Sequence, residues 1–361
     1  MSDPVTVQGF NFLRTFLWLR IGRAVGCAVS LQTLLIAIIG VLLVDFSTAL
    51  LLSVIESSDS HFGFMLDDAG WTMRVPPIHD TLVPLWKMRS VSWDIGWILL
   101  VFGTVSGVIW SFVGVALCRC AALEFCRDES ASFRGSVQHA IRRFAAPWQA
   151  LATPLFGTAM LLVMIAALAI PAFLPMLGGV WLRLLSPIIA ILGVAAGFLL
   201  LVLPVMWPLI VAAVAVDDSD GFDAFSRSFS FVTSHPWMTA GLVIVSGGII
   251  WVCGQAIDLG VNEAAGIIPW SAGWVASEKS ITESLIPASM WWVRLFARAL
   301  HVSLFWSLVT IVYVFLRQAT DAAPLDKMSG FDEPGLVRED FPVVGIPAMN
   351  PPMSTSGETT N

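Results

Sequence analysis

Charge is scarce in this chain. Asp, Glu, Lys and Arg together supply 12% of the 361 residues, about half the roughly 25% of an ordinary soluble domain. The shortage excludes a water-soluble globular fold, and a 57% apolar share with a mean hydropathy of +0.82 shows what fills the space. Regular alternation of apolar and polar residues is missing from the apolar runs, which excludes a transmembrane barrel. No basic groove is present for nucleic acid. The P-loop, the G-x-S-x-G elbow, H-E-x-x-H and the dinucleotide-binding glycine fingerprint are all absent. No cluster of His, Asp or Glu stands out at one helix end. The chain therefore reads as non-enzymatic, without a cofactor.

Cysteine is also used sparingly. Cys27, Cys118, Cys120, Cys126 and Cys253 lie in or near apolar segments and form no extracellular disulfide framework. Cys118, Cys120 and Cys126 match no common zinc spacing and have no adjacent His. His61 and His79 share a loop with Asp59, Asp67, Asp68 and Asp80, a grouping that admits a metal without specifying one. No metal site is assigned.

What is present is a series of apolar runs longer than the roughly 18 to 20 residues that cross a bilayer. They predict an all-α polytopic membrane protein with six spans, at about 27–52, 94–118, 149–175, 184–214, 237–257 and 290–316. The first run follows Arg14, Arg20 and Arg23 and is too long for a cleavable signal, so it reads as a helix that stays. In the fourth, Pro204 and Pro208 predict a kink or a break. Residues 1–26 read as a cytosolic amphipathic segment and 27–318 as the membrane domain. Residues 319–361, with seven acids against Lys327 and Arg338 and six prolines, read as a disordered cytosolic tail. That tail could engage a membrane or cytosolic protein partner; membrane lipids are the other expected partner.

Basic residues set the orientation. Arg14, Arg20 and Arg23 precede the first span, Arg119, Arg127, Arg134, Arg142 and Arg143 follow the second, and Arg317 closes the sixth. The loops at about 56–90 and 258–288 hold few bases and many tryptophans, among them Trp71, Trp86, Trp93, Trp270, Trp274, Trp291 and Trp292. Tryptophan favours the headgroup level. Both termini are predicted to face the cytosol, in the cytoplasmic (inner) membrane.

One short polar pattern occurs twice. In "DESASFRGSVQHAIRRFAAPW" and "DDSDGFDAFSRSFSFVTSHPW", Asp128, Ser130, Phe133, Pro147 and Trp148 recur as Asp217, Ser219, Phe222, Pro236 and Trp237, always 89 positions later. With the predicted topology both copies are cytosolic elbows, which makes a parallel repeat with units at about 94–180 and 184–262. Each elbow reads as a short amphipathic helix. Phe222, Phe225, Phe229 and Val232 form one face, as do Phe133, Val137, Ala140, Ile141 and Phe144. Ser130 and Ser219 stand where an N-cap is wanted, Pro147 and Pro236 at the first turn of the next helix, and Trp148 and Trp237 as interface anchors. Small-xxx-small motifs at Gly103–Gly107 and Gly193–Gly197 recur on the incoming helices, and Gly96, Gly103, Gly107 and Gly114 predict a packing groove.

The stretch "PLIVAAVAVDDSDGFDAFSRSFSFVTSHPW" resembles the signature of a loose group of bacterial six-helix membrane proteins. The group includes the membrane domain attached to some glycerophosphodiester phosphodiesterases and related uncharacterised membrane families. Gly221, Ala224, Ser228, Phe229 and Trp237 occupy the signature places; the first elbow departs from it, with Gly135 and Ala140. The resemblance implies a six-helix membrane fold. It carries over no catalytic residue, since the chemistry of such fusions resides in a separate soluble domain.

Intramembrane charge supplies the candidate site. Arg294, Arg298 and His301 fall at i, i+4 and i+7 of the last span, with Asp258 as the expected partner. Asp45 is the other candidate, buried if the first span continues past it and a helix-end acid if it does not. Charged groups in a bilayer pair or line water. Together these features predict a non-enzymatic scaffold or accessory subunit of a membrane system, with a small-solute or ion transporter as the alternative.

Overall fold

A computed structural model describes residues 21–55, 74–87, 93–130, 132–143, 145–173, 178–275, 277 and 281–321. The expectations for residues 1–20, for Asp59, His61, Asp67, Asp68, Trp71 and Phe144, and for the tail beyond Asp321 fall outside them.

Ten α-helices are present among the described residues: α1 Arg23–Val29, α2 Leu31–Ile55, α3 Pro76–Lys87, α4 Trp93–Arg127, α5 Phe133–Arg142, α6 Ala145–Ala169, α7 Gly178–Asp217, α8 Gly221–Ser234, α9 Pro236–Ala272 and α10 Ile286–Asp321. A short 3₁₀ turn follows α6, and a π turn, Ile281–Leu285, leads into α10. Six helices are long and apolar enough to cross a membrane. They are α2, α4, α6 (with its 3₁₀ turn), α7, α9 and α10, the six predicted runs.

The differences lie in continuity. α7 runs unbroken for 40 residues through Pro187, Pro204 and Pro208, so of the kink or break predicted there the break does not occur. Every residue from Met206 to Val216 is buried, and packing of this kind holds a helix together where a proline removes one backbone bond. α9 continues to Ala272 through what was expected to be loop beyond residue 257. Its breakers, Pro269 and Gly273, come only at that far end. α3 was expected as part of an outer loop.

α10 is the central element. Of its most apolar stretch 89% is buried, against 6% for α6 and 11% for α7. α10 packs on α1, α2, α4, α7 and α9. Trp110, Trp207 and Trp306 are fully buried; Trp207 and Trp306 meet edge to face at 6.0 Å, and Trp207 Nε1 donates to Ser111 Oγ at 3.0 Å. Gly114 makes room for this cluster, since a Cβ there would come within 2.6 Å of the Trp306 ring. The predicted groove on α4 is thus occupied, by Trp306 at Gly114 and by Leu151 and Thr81 at Gly107. Most of α6 and the first part of α7 pair with each other outside this core, their outer faces lined by exposed residues such as Phe156, Val163, Ile191 and Val194, while α7 from Met206 onward lies within it.

The two elbows connect α4 to α6 and α7 to α9. Each long helix stops at an aspartate with positive φ, Asp128 at 53° and Asp218 at 54°. The left-handed region is one that Asp tolerates better than most residues, and it turns a chain sharply out of a helix. Asp128 therefore corresponds in backbone to Asp218 and not to Asp217. The N-caps are Ser132, which accepts from the Gly135 N–H, and Asp220, which accepts from the Asp223 N–H; they replace the expected Ser130 and Ser219. Pro236 opens α9, and Pro147 is the third residue of α6.

The elbow helices turn a small-residue face inward. In α8 the buried residues are Gly221, Ala224, Ser228 and Phe231, at i, i+3, i+7 and i+10, while Phe222 and Phe229 are exposed. In α5, Ser136 and Ala140 are buried, and Phe133 and Ile141 are exposed. Small residues let the elbow backbone lie close to the bundle, and the aromatic face is left outside with Trp148 and Trp237.

Candidate functional site

The polar groups of the bundle are organised by α3. Its sequence, PPIHDTLVPLWK, contains three prolines and an amphipathic pattern, and it buries Pro77, His79, Asp80, Thr81 and Leu82 against α4. Thr81 and Leu85 fill the notch at Gly103. This brings His79 and Asp80 to Trp110, the midpoint of α4. Trp110 Nε1 donates to Asp80 Oδ2 at 3.2 Å. His79 Nδ1 lies 3.0 Å from Asp80 Oδ1, and His79 Nε2 is buried without a partner. The Asp80 carboxylate is thus braced at both oxygens, by an indole N–H and by an imidazole.

Arg74, just ahead of α3, makes the next contact. Its Nη2 donates to Asp258 Oδ2 of α9 at 2.8 Å. The side chain crosses α9 at Gly254, where an added Cβ would meet Arg74 Cδ at 2.9 Å and His301 Nε2 at 3.4 Å. His301 is buried, and its Nδ1 is 2.8 Å from the Ala297 carbonyl oxygen one turn earlier in α10. Asp258, Arg74 and His301 therefore form one group between α9 and α10.

Arg298 belongs to another group. Its Nη1 lies 2.6 Å from Asp45 Oδ1, so Asp258, expected to serve the whole Arg294, Arg298 and His301 face, pairs with Arg74 while Arg298 pairs with Asp45. The reason is the extent of two elements. α2 continues ten residues past Asp45 to Ile55, which fixes Asp45 within the helix and opposite α10, and Arg74 has already taken Asp258. Asp45, Arg298 and Arg294 line a cleft of about 460 Å³ with Trp291, Met290 and Leu295. Arg294 is exposed.

At the opposite end of the bundle Asp217, the last residue of α7, is almost fully buried. Tyr313 Oη donates to its Oδ2, Arg227 Nη1 lies 3.7 Å from Oδ2, and Arg317 Nη2 sits 3.1 Å from Oδ1. A carboxylate at a helix C-terminus opposes the dipole, and these three partners from α8 and α10 offset it. Beside it, Arg119 of α4 donates to the Ala215 carbonyl at 2.9 Å, which satisfies one of the open carbonyl groups at the end of α7. Arg143 Nε and Nη2 grip Asp218 at 2.6 and 2.5 Å, and Arg23 pairs with Asp128. Each positive-φ aspartate thus holds an arginine. The Arg143 contact holds the Asp218 carboxyl below its ordinary range. Burial, then the charge of Arg119, pushes the His139 imidazole down.

Sequence reasoning missed Arg74, Tyr313, Arg317 and the burial of His79 and Asp80 as site residues. Tyr313 is the only tyrosine in the chain, a signal that was there to read. Among the described residues, no group of three or more His, Cys, Asp or Glu is placed to hold a metal ion. No family model matches the chain, and no curated protein or solved structure matches it either.

Proposed function

We propose that this chain is a non-enzymatic, multi-pass protein of the cytoplasmic membrane, with both termini cytosolic, that serves as a scaffold or accessory subunit by docking a further membrane helix. The observation that carries this reading is the open small-residue surface of the outlying helices. A Cβ added at Gly193 or Gly197 of α7, or at Gly241, Gly247 or Gly248 of α9, meets nothing within 4 Å, whereas the matching glycines of α4 are filled by neighbours. In a bilayer, apolar side chains alone give helices little reason to associate, and close approach at small residues is what drives pairing. Support for the membrane setting comes from the six apolar helices, from the exposed Phe222, Phe229, Trp148 and Trp237 on the elbows, and from Trp270, Trp274, Trp291 and Trp292 exposed at the other end. The parallel repeat and the relationship to the six-helix group of the phosphodiesterase-associated membrane domains belong to the same proposal, supported by the paired elbows with Asp128 and Asp218 alike in backbone.

The test is to tag the chain, solubilise it gently and measure what stays with it. A membrane protein or second copy retained at fixed stoichiometry, and released by Gly193→Leu with Gly197→Leu without loss of thermal stability, is expected. Recovery as a lone monomer would contradict the proposal.

A second reading, a small-solute or ion transporter, is favoured by the cleft at Asp45 and Arg298 and by the buried His79–Asp80 pair. Asp45→Asn, Arg298→Ala and Asp80→Asn variants that fold yet leave the flux of every tested solute class unchanged would end it.

A further inference from the structure

The polar side of α5 that faces Arg119 and Asp218 has work that neither reading above uses. Ser132, Gly135, His139, Arg142 and Arg143 fall at helical spacing along one side of it and line a cavity of about 700 Å³, closed on the far side by Arg119 and Asp218. We propose that this cavity is a binding site for a phosphoryl group, carried either by a lipid headgroup or by a soluble phosphate.

Its charges leave a net positive remainder. Of the two carboxylates in the wall, Asp218 is gripped by Arg143 through both oxygens, and Glu129 accepts from Arg127 Nε at 3.0 Å. Arg119 adds a buried guanidinium behind them. Arg142 lines the same cavity with no carboxylate partner among the described residues. His139 Nε2 is buried with no hydrogen-bond partner, 3.9 Å from Asp218 Oδ1. The ten-residue α5 also brings its N-terminal end to the cavity, because Ser132 and Gly135 are its cap and third residue. The dipole there favours an anion. A planar guanidinium with spare donors and hydroxyls at Ser130 and Ser132 suit the several acceptor oxygens of a phosphoryl group, which an arginine fork binds through paired hydrogen bonds. The outward apolar edge of the same helix, Phe133 and Ile141, places the cavity beside the surface where headgroups lie in the proposed membrane orientation.

The experiment uses the full chain in phosphatidylcholine nanodiscs. Inorganic phosphate is titrated calorimetrically in one arm. In the other, phosphatidic acid is included in the nanodisc, and native mass spectrometry measures its retention on the protein. Wild type is compared with Arg142→Gln and with Arg134→Gln, which removes the same charge from the same helix outside the cavity. The expected result is binding in at least one arm, weakened about tenfold by Arg142→Gln, the loss of one charge-assisted hydrogen bond, and unchanged by Arg134→Gln. Binding of inorganic phosphate alone assigns a soluble ligand; retention of phosphatidic acid alone assigns a headgroup. Arg142→Lys, which keeps the charge without the fork, is expected between wild type and Arg142→Gln. Binding in neither arm, or equal weakening by Arg134→Gln and Arg142→Gln, would overturn the site.

Discussion

A Cβ added at Gly221 would come within 2.4 Å of Gln149 Cβ and 3.0 Å of the Ala146 carbonyl oxygen, while one at Gly193 meets nothing within 4 Å. The same substitution is therefore expected to act in opposite directions. Gly221→Ala forces α8 off α6 and lowers stability by about 1–3 kcal/mol. Gly193→Ala adds helix propensity without a clash and is neutral or stabilising by up to about 1 kcal/mol; melting of both variants in mild detergent checks the pair. Single residues also set the response to acid. His139 and Asp218 both titrate below their ordinary values in the folded chain, so in each case the unfolded chain binds a proton first as pH falls. Stability contributed at His139 is complete above about its unfolded value of 6.5 and is lost as pH falls through the lower folded value. The share from Asp218 is lost only below about 3.8. Melting temperature is expected to drop between pH 7 and pH 5, with a shallower drop in His139→Gln. Little of this was legible from spacing. Ser130 and Ser219 look like caps, but Ser132 and Asp220 hold that position, because the chain spends the intervening residues leaving the left-handed aspartate.

Among the elements, the six long apolar helices were legible because hydropathy over twenty residues is a strong signal, and α10 was already marked by Arg294, Arg298 and His301. α3 was not. At 12 residues, with three prolines, a histidine and an aspartate, it has the composition of a loop, and only its packing against Gly103 and Gly107 of α4 makes it a helix of the core. Missing α3 hid Arg74, and without Arg74 the acid at the end of the predicted fifth span, Asp258, looked like the partner of the Arg294, Arg298 and His301 face. Double-mutant cycles separate the two arrangements. Asp45→Asn with Arg298→Gln, and Arg74→Gln with Asp258→Asn, are each expected to show coupling of about 1 kcal/mol in thermal stability. Asp258→Asn with Arg298→Gln is expected to be additive. Coupling between Asp258 and Arg298 would contradict the two-pair arrangement.

At the scale of the molecule, one buried mast, α10, holds α1, α2, α4, α9 and the second part of α7, and most of α6 with the first part of α7 extends from it largely uncovered. The proposed topology, with both termini cytosolic, rests on where the arginines lie, and it is checked by fusing a fluorescent protein or a periplasmically active phosphatase to the C-terminus. Fluorescence without phosphatase activity is expected. Apolar composition made the membrane class readable, but it does not distinguish a glycine face filled from within from one left open, since Gly103–Gly107 and Gly193–Gly197 share a spacing and differ only in what the folded chain places against them. That contrast is the basis of the proposed docking role, and photocrosslinking from position 193 in intact membranes tests it most directly. The account predicts a discrete protein adduct of defined mass, either a partner or a second copy, that is absent when the probe sits at the exposed Phe156 of α6. Lipid adducts alone from both positions would contradict it.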